Sequence, residues 1–254
     1  MSIERRKNKY IAKKIMVLGT KGGTGKSFVA VNLAIDLFNQ SKSDVVLFDI
    51  DYKSADDATI LNIIPKTTVH DLLQKTDKLD LDLIESSLTT CNSGIRFLPA
   101  PINSIEAEYI SSKQTIEIID LLAEISDYIV IDTPAYFSED VLSILESIDY
   151  MIIIATMDVL SIKNLKESLF ILKQLRFPRN KIILILNRAN SNVGLTIGEI
   201  ENNINEKIDI TIPSDKLVPL SINKGIPLII ELPKSNVSQS INKLTQIIIK
   251  GNLS

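Results

Sequence analysis

The chain has 254 residues, 45% of them hydrophobic, and a formal net charge of −3 at pH 7. This length fits one large α/β domain or two small ones, no apolar run approaches the roughly eighteen residues that span a membrane, and the negative charge gives no indication of general nucleic-acid binding. Cys91 is the single cysteine, which excludes an internal disulfide and, with no signal peptide recognisable in the sequence, predicts a cytoplasmic protein.

A cluster of basic residues opens the sequence. Residues 4–14 contain Glu4 and six basic residues, which are Arg5, Arg6, Lys7, Lys9, Lys13 and Lys14. Such a cluster could be an arm for anionic lipid or DNA, or a solvated chain terminus. The second interpretation is favoured because the cluster has few of the apolar anchors that a membrane-binding segment needs. We therefore predict a flexible basic arm over residues 1–13 and one domain over residues 14–254.

The first predicted strand, Lys14–Gly19, leads directly into a glycine-rich turn, and a predicted helix, Phe28–Asn39, follows. Glycines allow successive backbone N–H groups to face an anion, and the positive end of the helix dipole favours a phosphate at the helix N-terminus. In such a loop Lys26 reaches the β- and γ-phosphates of a nucleotide, and the Ser27 hydroxyl can bind Mg²⁺. The turn therefore predicts a nucleotide-binding P-loop rather than a glycine turn before an ordinary helix.

This glycine-rich turn departs from the common P-loop pattern at one position. The pattern G-x-x-x-x-G-K-[ST] has a glycine where this chain has Thr20. A second lysine, Lys21, comes next and is followed by Gly22-Gly23. This variant pattern is more specific than the general P-loop pattern, so it indicates function more closely than the general pattern would.

Short apolar runs alternate with longer helical patterns along the rest of the chain. This alternation predicts an α/β fold with a mostly parallel central sheet of about seven strands and helices on both faces. The predicted strands are Lys14–Gly19, Val45–Asp49, Ile95–Leu98, Tyr128–Asp132, Tyr150–Ala155, Lys181–Leu186 and Ile208–Ile212. The predicted helices are Phe28–Asn39, Val69–Gln74, Ile105–Ile125, Ser138–Glu146, Ser161–Leu175 and Val237–Lys250.

Carboxylates follow two of these predicted strands. Asp49 and Asp51 come at the end of the second strand, and Asp132 ends the fourth. Ligands of an open parallel sheet bind outside the carboxyl ends of the strands, and an apolar strand that ends in an aspartate is typical of a Walker B element, whose Asp holds Mg²⁺. An aspartate at a strand end is also a common turn residue. Together with the P-loop, however, these carboxylates predict a metal-dependent nucleotide site.

The motifs together resemble the ParA/MinD family of deviant-Walker-A ATPases. Residues Lys21–Ser27 are similar to the family's K-G-G-x-G-K-[ST], and Asp49-Ile50-Asp51 is similar to its D-x-D motif. The resemblance runs from about Lys14 to Leu244. It implies a P-loop NTPase fold that binds ATP and Mg²⁺ and hydrolyses ATP slowly as a partner-stimulated switch.

The resemblance also implies roles for individual residues. Lys21, Lys26 and Asp51 are the expected catalytic residues, with Lys21 reaching the partner's phosphates in an ATP-bound homodimer and Asp51 orienting the attacking water. Ser27 is expected to bind Mg²⁺ directly, with Asp49 and Asp132 acting through water. The expected nucleotide contacts come from the P-loop and from two segments similar to those that hold adenine in the family, namely Lys21, Gly22, Gly23, Thr24, Gly25, Lys26, Ser27, Phe28, Asn187, Arg188, Pro213, Ser214 and Asp215.

Softer matches resemble the CpaE/TadZ branch of the family, which is linked to pilus assembly and polar localisation. They comprise Phe97–Pro101 with Glu106–Glu108, and Asp132–Pro134 with Phe137–Glu139 and Leu160–Asn164. They favour a cytoplasmic protein that recruits a protein partner to a pilus or secretion apparatus, with peripheral association at the inner membrane or cell pole as an option.

Three alternatives stay open. A DNA-partition ATPase needs a basic patch, whereas the C-terminal lysines are interleaved with acidic residues. A MinD-type membrane switch needs a basic amphipathic tail, and a last helix docked on its own sheet explains the apolar stripe of Val237, Ile241, Leu244 and Ile248 better. A metabolic P-loop enzyme needs a second substrate site, and the sequence has no Arg-rich lid of the kind that a kinase uses.

Overall fold

The computed structural model describes residues 12–76, 78–191 and 194–251. These residues form an eight-stranded sheet with the order β3-β4-β2-β5-β1-β6-β7-β8. All neighbouring strands are parallel except β3 and β4, which pair antiparallel at one edge. The strands are β1 (Lys13–Gly19), β2 (Val45–Asp49), β3 (Thr89–Thr90), β4 (Arg96–Leu98), β5 (Tyr128–Asp132), β6 (Tyr150–Thr156), β7 (Ile182–Asn187) and β8 (Ile210–Ile212).

The central strands are apolar along their whole length because both of their faces are covered. In β1, Ile15 and Val17 pack into one core cluster, while Met16 and Leu18 pack into the other. Successive side chains of a strand point to opposite faces, so each strand supplies residues to both clusters.

Twelve α-helices lie among the described residues, and most of the larger ones cover one sheet face or the other. Helices α1 and α12 contribute to the cluster that contains Ile15, and α6, α7, α8 and α9 contribute to the cluster that contains Met16. The helices are α1 (Lys26–Ser41), α2 (Asp57–Ile60), α3 (Val69–Gln74), α4 (Leu81–Ser87), α5 (Ser104–Ala107), α6 (Ser112–Ile125), α7 (Glu139–Ile144), α8 (Val159–Gln174), α9 (Ile197–Ile204), α10 (Leu217–Lys224), α11 (Leu228–Glu231) and α12 (Asn236–Lys250).

The predicted fold class is confirmed, and each of the seven predicted strands is present within two residues of its expected bounds. The sequence missed the short antiparallel strand β3. The prediction of one helix over Ile105–Ile125 was wrong, because two helices occupy this range. Ser111 begins the second of them with a capping box, in which its hydroxyl accepts from the Gln114 backbone N–H and the Gln114 side chain accepts from the Ser111 N–H.

The C-terminal helix and the N-terminal residues can be compared with the predicted C-terminal helix and the predicted basic arm. Along α12, the apolar stripe that includes Val237 and Ile248 is fully buried, so the prediction of a helix docked on its own sheet is confirmed. No helix among the described residues is long and apolar enough to cross a membrane. Most of the predicted basic arm, residues 1–11, lies outside the described residues, and Lys13 belongs to β1 rather than to the arm.

Candidate functional site: a phosphate loop facing buried carboxylates

The glycine-rich loop lies at the carboxyl end of β1, a central strand flanked by β5 and β6. Gly23 and Gly25 adopt φ angles of 77° and 92°, a region that L side chains rarely occupy. A Cβ atom built on Gly22 or Gly23 would meet no atom within 4 Å, so the loop is open on this side. Helix α1 starts at Lys26, directly after Gly25, and its first N–H groups have no partner within the helix. An open glycine loop at a helix N-terminus fits a polyphosphate.

Gly25→Ala is expected to lower the free energy of unfolding by about 2 kcal/mol or more. The alanine would have to adopt the left-handed φ of Gly25, which costs about 1–2 kcal/mol, and its Cβ would lie 2.6 Å from Asn187 Nδ2. Gly22→Ala is the matched control, since its Cβ enters open space. Urea unfolding of both variants tests this, and equal stabilities would contradict it.

Thr20 anchors the start of the loop to α8. Its Oγ1 lies 2.6 Å from Ser161 Oγ, and its carbonyl accepts from Asn164 Nδ2 at 2.8 Å. Ser161 Oγ also accepts from the backbone N–H of Thr156 at the end of β6. A glycine at position 20 would lack the hydroxyl, so the departure from the common pattern has a structural role. Sequence reasoning missed the parts played by Ser161 and Asn164, which lie far from the loop along the chain.

Lys26 lies inside the site and is paired with two of the predicted carboxylates. Its Nζ is 2.7 Å from Asp51 Oδ2 and 3.1 Å from Asp132 Oδ2, and it donates to Ser27 Oγ at 3.2 Å. Burial alone would lower the pKa of Lys26, but the carboxylates of Asp132 and Asp51 outweigh it and raise the pKa. The structure thus brings Lys26, Ser27, Asp51 and Asp132 together, as the sequence predicted.

Asp49 and Asp132 are neighbours because β2 and β5 pair in parallel with these two residues in register. Asp57, at the start of α2, joins them, and one carboxylate oxygen from each of the three lies within 4.8 Å of the others. Burial raises the pKa of all three, to about 6 for Asp132, and the Asp132 charge adds to the effect on Asp49 and Asp57. Asp57 was not among the predicted site residues.

Among the described residues, three buried oxygen atoms of this carboxylate cluster have no hydrogen-bond partner: Oδ1 of Asp132 and both carboxylate oxygens of Asp57. Buried polar atoms are almost always paired in folded proteins. Carboxylate oxygens are also the ligands that Mg²⁺ prefers. The donor set next to Ser27 therefore fits a hard divalent cation.

Lys21, the additional lysine at the start of the loop, pairs with a different carboxylate from those that hold Lys26. Its Nζ lies 3.0 Å from Asp158, the N-cap residue of α8, and both side chains are more than a third exposed. Burial opposes ionisation of Asp158, but hydrogen bonds from Thr156, the Ser161 N–H and Lys21 lower its pKa. The two lysines of the motif thus occupy different environments, one enclosed and one at the surface.

The two segments expected to contact adenine meet beside the loop. Asn187, at the end of β7, donates to the Thr24 carbonyl at 2.7 Å and accepts from the Arg188 N–H. Arg188 reaches the Gly23 carbonyl at 3.4 Å. Pro213, Ser214 and Asp215 follow β8, which pairs with β7, and the Asp215 carboxylate accepts from the Leu217 N–H at the start of α10. In this structure Asn187 braces the P-loop itself.

The fold and the site together define a P-loop nucleotide-binding protein of the α/β class. A family model described as "CobQ/CobB/MinD/ParA nucleotide binding domain" matches residues 15–228. The chain therefore belongs to the CobQ/CobB/MinD/ParA nucleotide-binding domain family.

Individual relatives agree with this assignment. The chain is 26% identical over 237 residues to an uncharacterised ATP-binding protein of Methanocaldococcus jannaschii, covering 92% of this chain and 87% of the relative. It is 25% identical over 224 residues to the septum site-determining protein MinD of Synechocystis, covering 85% and 82%. The crystal structure of a ParA family ATPase from Chlorobium tepidum superposes with a TM-score of 0.85 at 26% identity, covering 92% of this chain and 98% of that one.

Proposed function

We propose that this protein is an ATP-dependent dimerising switch that binds ATP with Mg²⁺ and hydrolyses it slowly. The single observation that carries the proposal is the separation of the two lysines. Lys26 is enclosed with Asp51 and Asp132, whereas Lys21 lies at the surface on Asp158. The ammonium group of Lys21 lies at the surface, apart from the enclosed group of Lys26, and it is therefore available to the phosphates of a second copy. Family membership supports the nucleotide assignment.

In the proposed switch, Lys26 and the backbone N–H groups of Gly22–Phe28 hold the phosphates within one subunit. Ser27, Asp49 and Asp132 would hold Mg²⁺, which would supply positive charge to neutralise the phosphates when bound. Lys21 of the second copy neutralises the charge that develops on the γ-phosphoryl group, in the manner of an arginine finger. Because the transition state is loose, positioning dominates, and Asp51 is proposed to orient the attacking water.

The base of the nucleotide is proposed to lie between the ends of β7 and β8. Asn187 offers an amide with both a donor and an acceptor for the adenine edge. To donate to adenine, the Asn187 amide would have to break its hydrogen bond to the Thr24 carbonyl. Arg188, Pro213, Ser214 and Asp215 would complete this part of the site.

The purified protein tests the proposal directly. Light scattering should give a monomer mass with ADP and a dimer mass with ATP, and ATP hydrolysis should proceed without any acceptor molecule. Hydrolysis that depends on an added acceptor would favour a metabolic P-loop enzyme instead. An unchanged mass with ATP would overturn the dimerising switch.

The proposed partner is a protein of a pilus or secretion apparatus, and this part rests on the CpaE/TadZ-like stretches. Phe97–Pro101 is buried, and Ser161 and Asn164 support the P-loop, so these residues serve the fold and the nucleotide site rather than an exposed contact.

A pull-down identifies the partner most directly. Asp51→Ala should retain ATP and hold the dimer together, because the residue proposed to orient water is lost. Recovery of pilus or secretion components by this variant, with Lys21→Ala as the matched control, supports the proposed partner. Recovery of DNA or lipid instead would replace it with a partition or membrane role at the cell periphery.

A further inference from the structure

Asp57 is a fully buried carboxylate whose burial is not compensated by a protein partner. Its relative exposure is 0%, and neither of its oxygens has a hydrogen-bond partner among the described residues. It is the first residue of the short helix α2, and the loop between Asp51 and α2 folds it back toward the strand ends. One of its oxygens lies within 4.8 Å of oxygens of Asp49 and Asp132.

An ionised carboxylate is held away from water only when a cation or several donors offset its desolvation. The ammonium group that contacts this cluster is Lys26, and its Nζ is engaged with Asp51 and Asp132. Asp132 Oδ1 is unpartnered as well. When Asp49, Asp57 and Asp132 are ionised together, the cluster carries more negative charge than the ammonium group of Lys26 offsets. The unpaired oxygens come from two separate elements of the fold.

The spacing of the three carboxylates matches a hard cation. Mg²⁺ binds oxygen at about 2.1 Å, so ligands on opposite sides of the ion lie about 4.2 Å apart, and longer bonds allow about 5 Å. Oxygens within 4.8 Å of one another can reach one ion with small side-chain movements.

We propose that Asp57 is a third carboxylate ligand, beside Asp49 and Asp132, of a divalent-cation site that forms in the absence of nucleotide. The inference rests on the proposed function for the assignment of Asp49 and Asp132 to metal. Asp57 would contribute a ligand from α2. Cation binding would therefore fasten the segment between Asp51 and Asp57 to the ends of β2 and β5. The site would position Asp51 before ATP arrives.

Binding of Mn²⁺ to the full chain without nucleotide, measured by electron paramagnetic resonance, tests the proposal. Asp57→Asn, which keeps the shape of the side chain and removes its charge, should weaken Mn²⁺ binding by about tenfold or more. Asp56→Asn is the matched control, because Asp56 is the adjacent carboxylate and is exposed. It should leave the affinity within about twofold, as expected of a surface charge. Asp57→Ser provides a second variant if Asp57→Asn does not fold.

The outcomes separate this inference from the proposed function. Equal Mn²⁺ affinities for wild type and Asp57→Asn, or no Mn²⁺ binding by the wild type without nucleotide, overturn the third ligand. Binding of a fluorescent ATP analogue in the presence of Mg²⁺ is measured in parallel. If the wild type binds this analogue but does not bind Mn²⁺ without nucleotide, only the third ligand is overturned. If it binds Mn²⁺ but not the analogue with Mg²⁺, the proposed function is overturned instead.

Discussion

Lys26→Met is expected to abolish ATP binding and to lower the free energy of unfolding by about 3–5 kcal/mol. The side chains of Asp51 and Asp132 are 9% and 0% exposed, and Lys26 Nζ lies within 3.1 Å of both. Methionine removes the ammonium group while filling a similar volume, so two enclosed carboxylates lose their counter-ion. The phosphate contact that the loop provides is lost at the same time. Fluorescence titration with an ATP analogue and urea unfolding measure the two effects.

A double variant separates the two consequences of removing Lys26. Lys26→Met combined with Asp132→Asn should recover part of the lost stability, since one unpaired charge is neutralised, but should recover no ATP binding. Lys53→Met is the control for loss of a lysine at an exposed position. If Lys26→Met unfolds at the same urea concentration as the wild type, the ion pairs of Lys26 with Asp51 and Asp132 do not stabilise the fold.

The phosphate loop and the strand-end carboxylates could be predicted from the sequence because their determinants are local. The strand, glycines and helix start of the loop are contiguous, and parallel strands bring their carboxyl ends to one edge of the sheet. That rule was enough to expect Asp49 and Asp132 at one edge of the sheet. Their direct adjacency comes from the parallel pairing of β2 with β5, which the sequence did not predict.

Asp57 could not be predicted, because its role depends on tertiary burial. Asp56 and Asp57 stand side by side in a polar stretch, and such a pair is typical of a turn or helix start. Nothing in the local pattern says that one carboxylate is exposed and the other fully buried. The hydrogen bond between the Thr20 and Ser161 hydroxyls could not be predicted for a related reason, because it joins residues 141 positions apart.

The N-terminal end of α8 connects the nucleotide loop to the protein surface. Asp158 holds Lys21, Ser161 holds the Thr20 side chain, and Asn164 holds the Thr20 carbonyl. Between these contacts, Val159 and Leu160 are 71% and 65% exposed. A change in the position of Lys21 therefore alters the contacts of a helix end that carries two exposed apolar side chains.

Lys21→Ala is expected to abolish ATP-dependent dimerisation while leaving ATP affinity within a few-fold of the wild type. The Lys21–Asp158 pair is exposed, so its loss should change the free energy of unfolding by no more than about 1 kcal/mol. Asp158→Asn is the informative counterpart, since asparagine still caps α8 but releases Lys21. It should favour the ATP dimer by up to about fivefold. Light scattering at several protein concentrations measures both effects. An ATP dimer that persists unchanged in Lys21→Ala would show that this lysine does not act across the dimer.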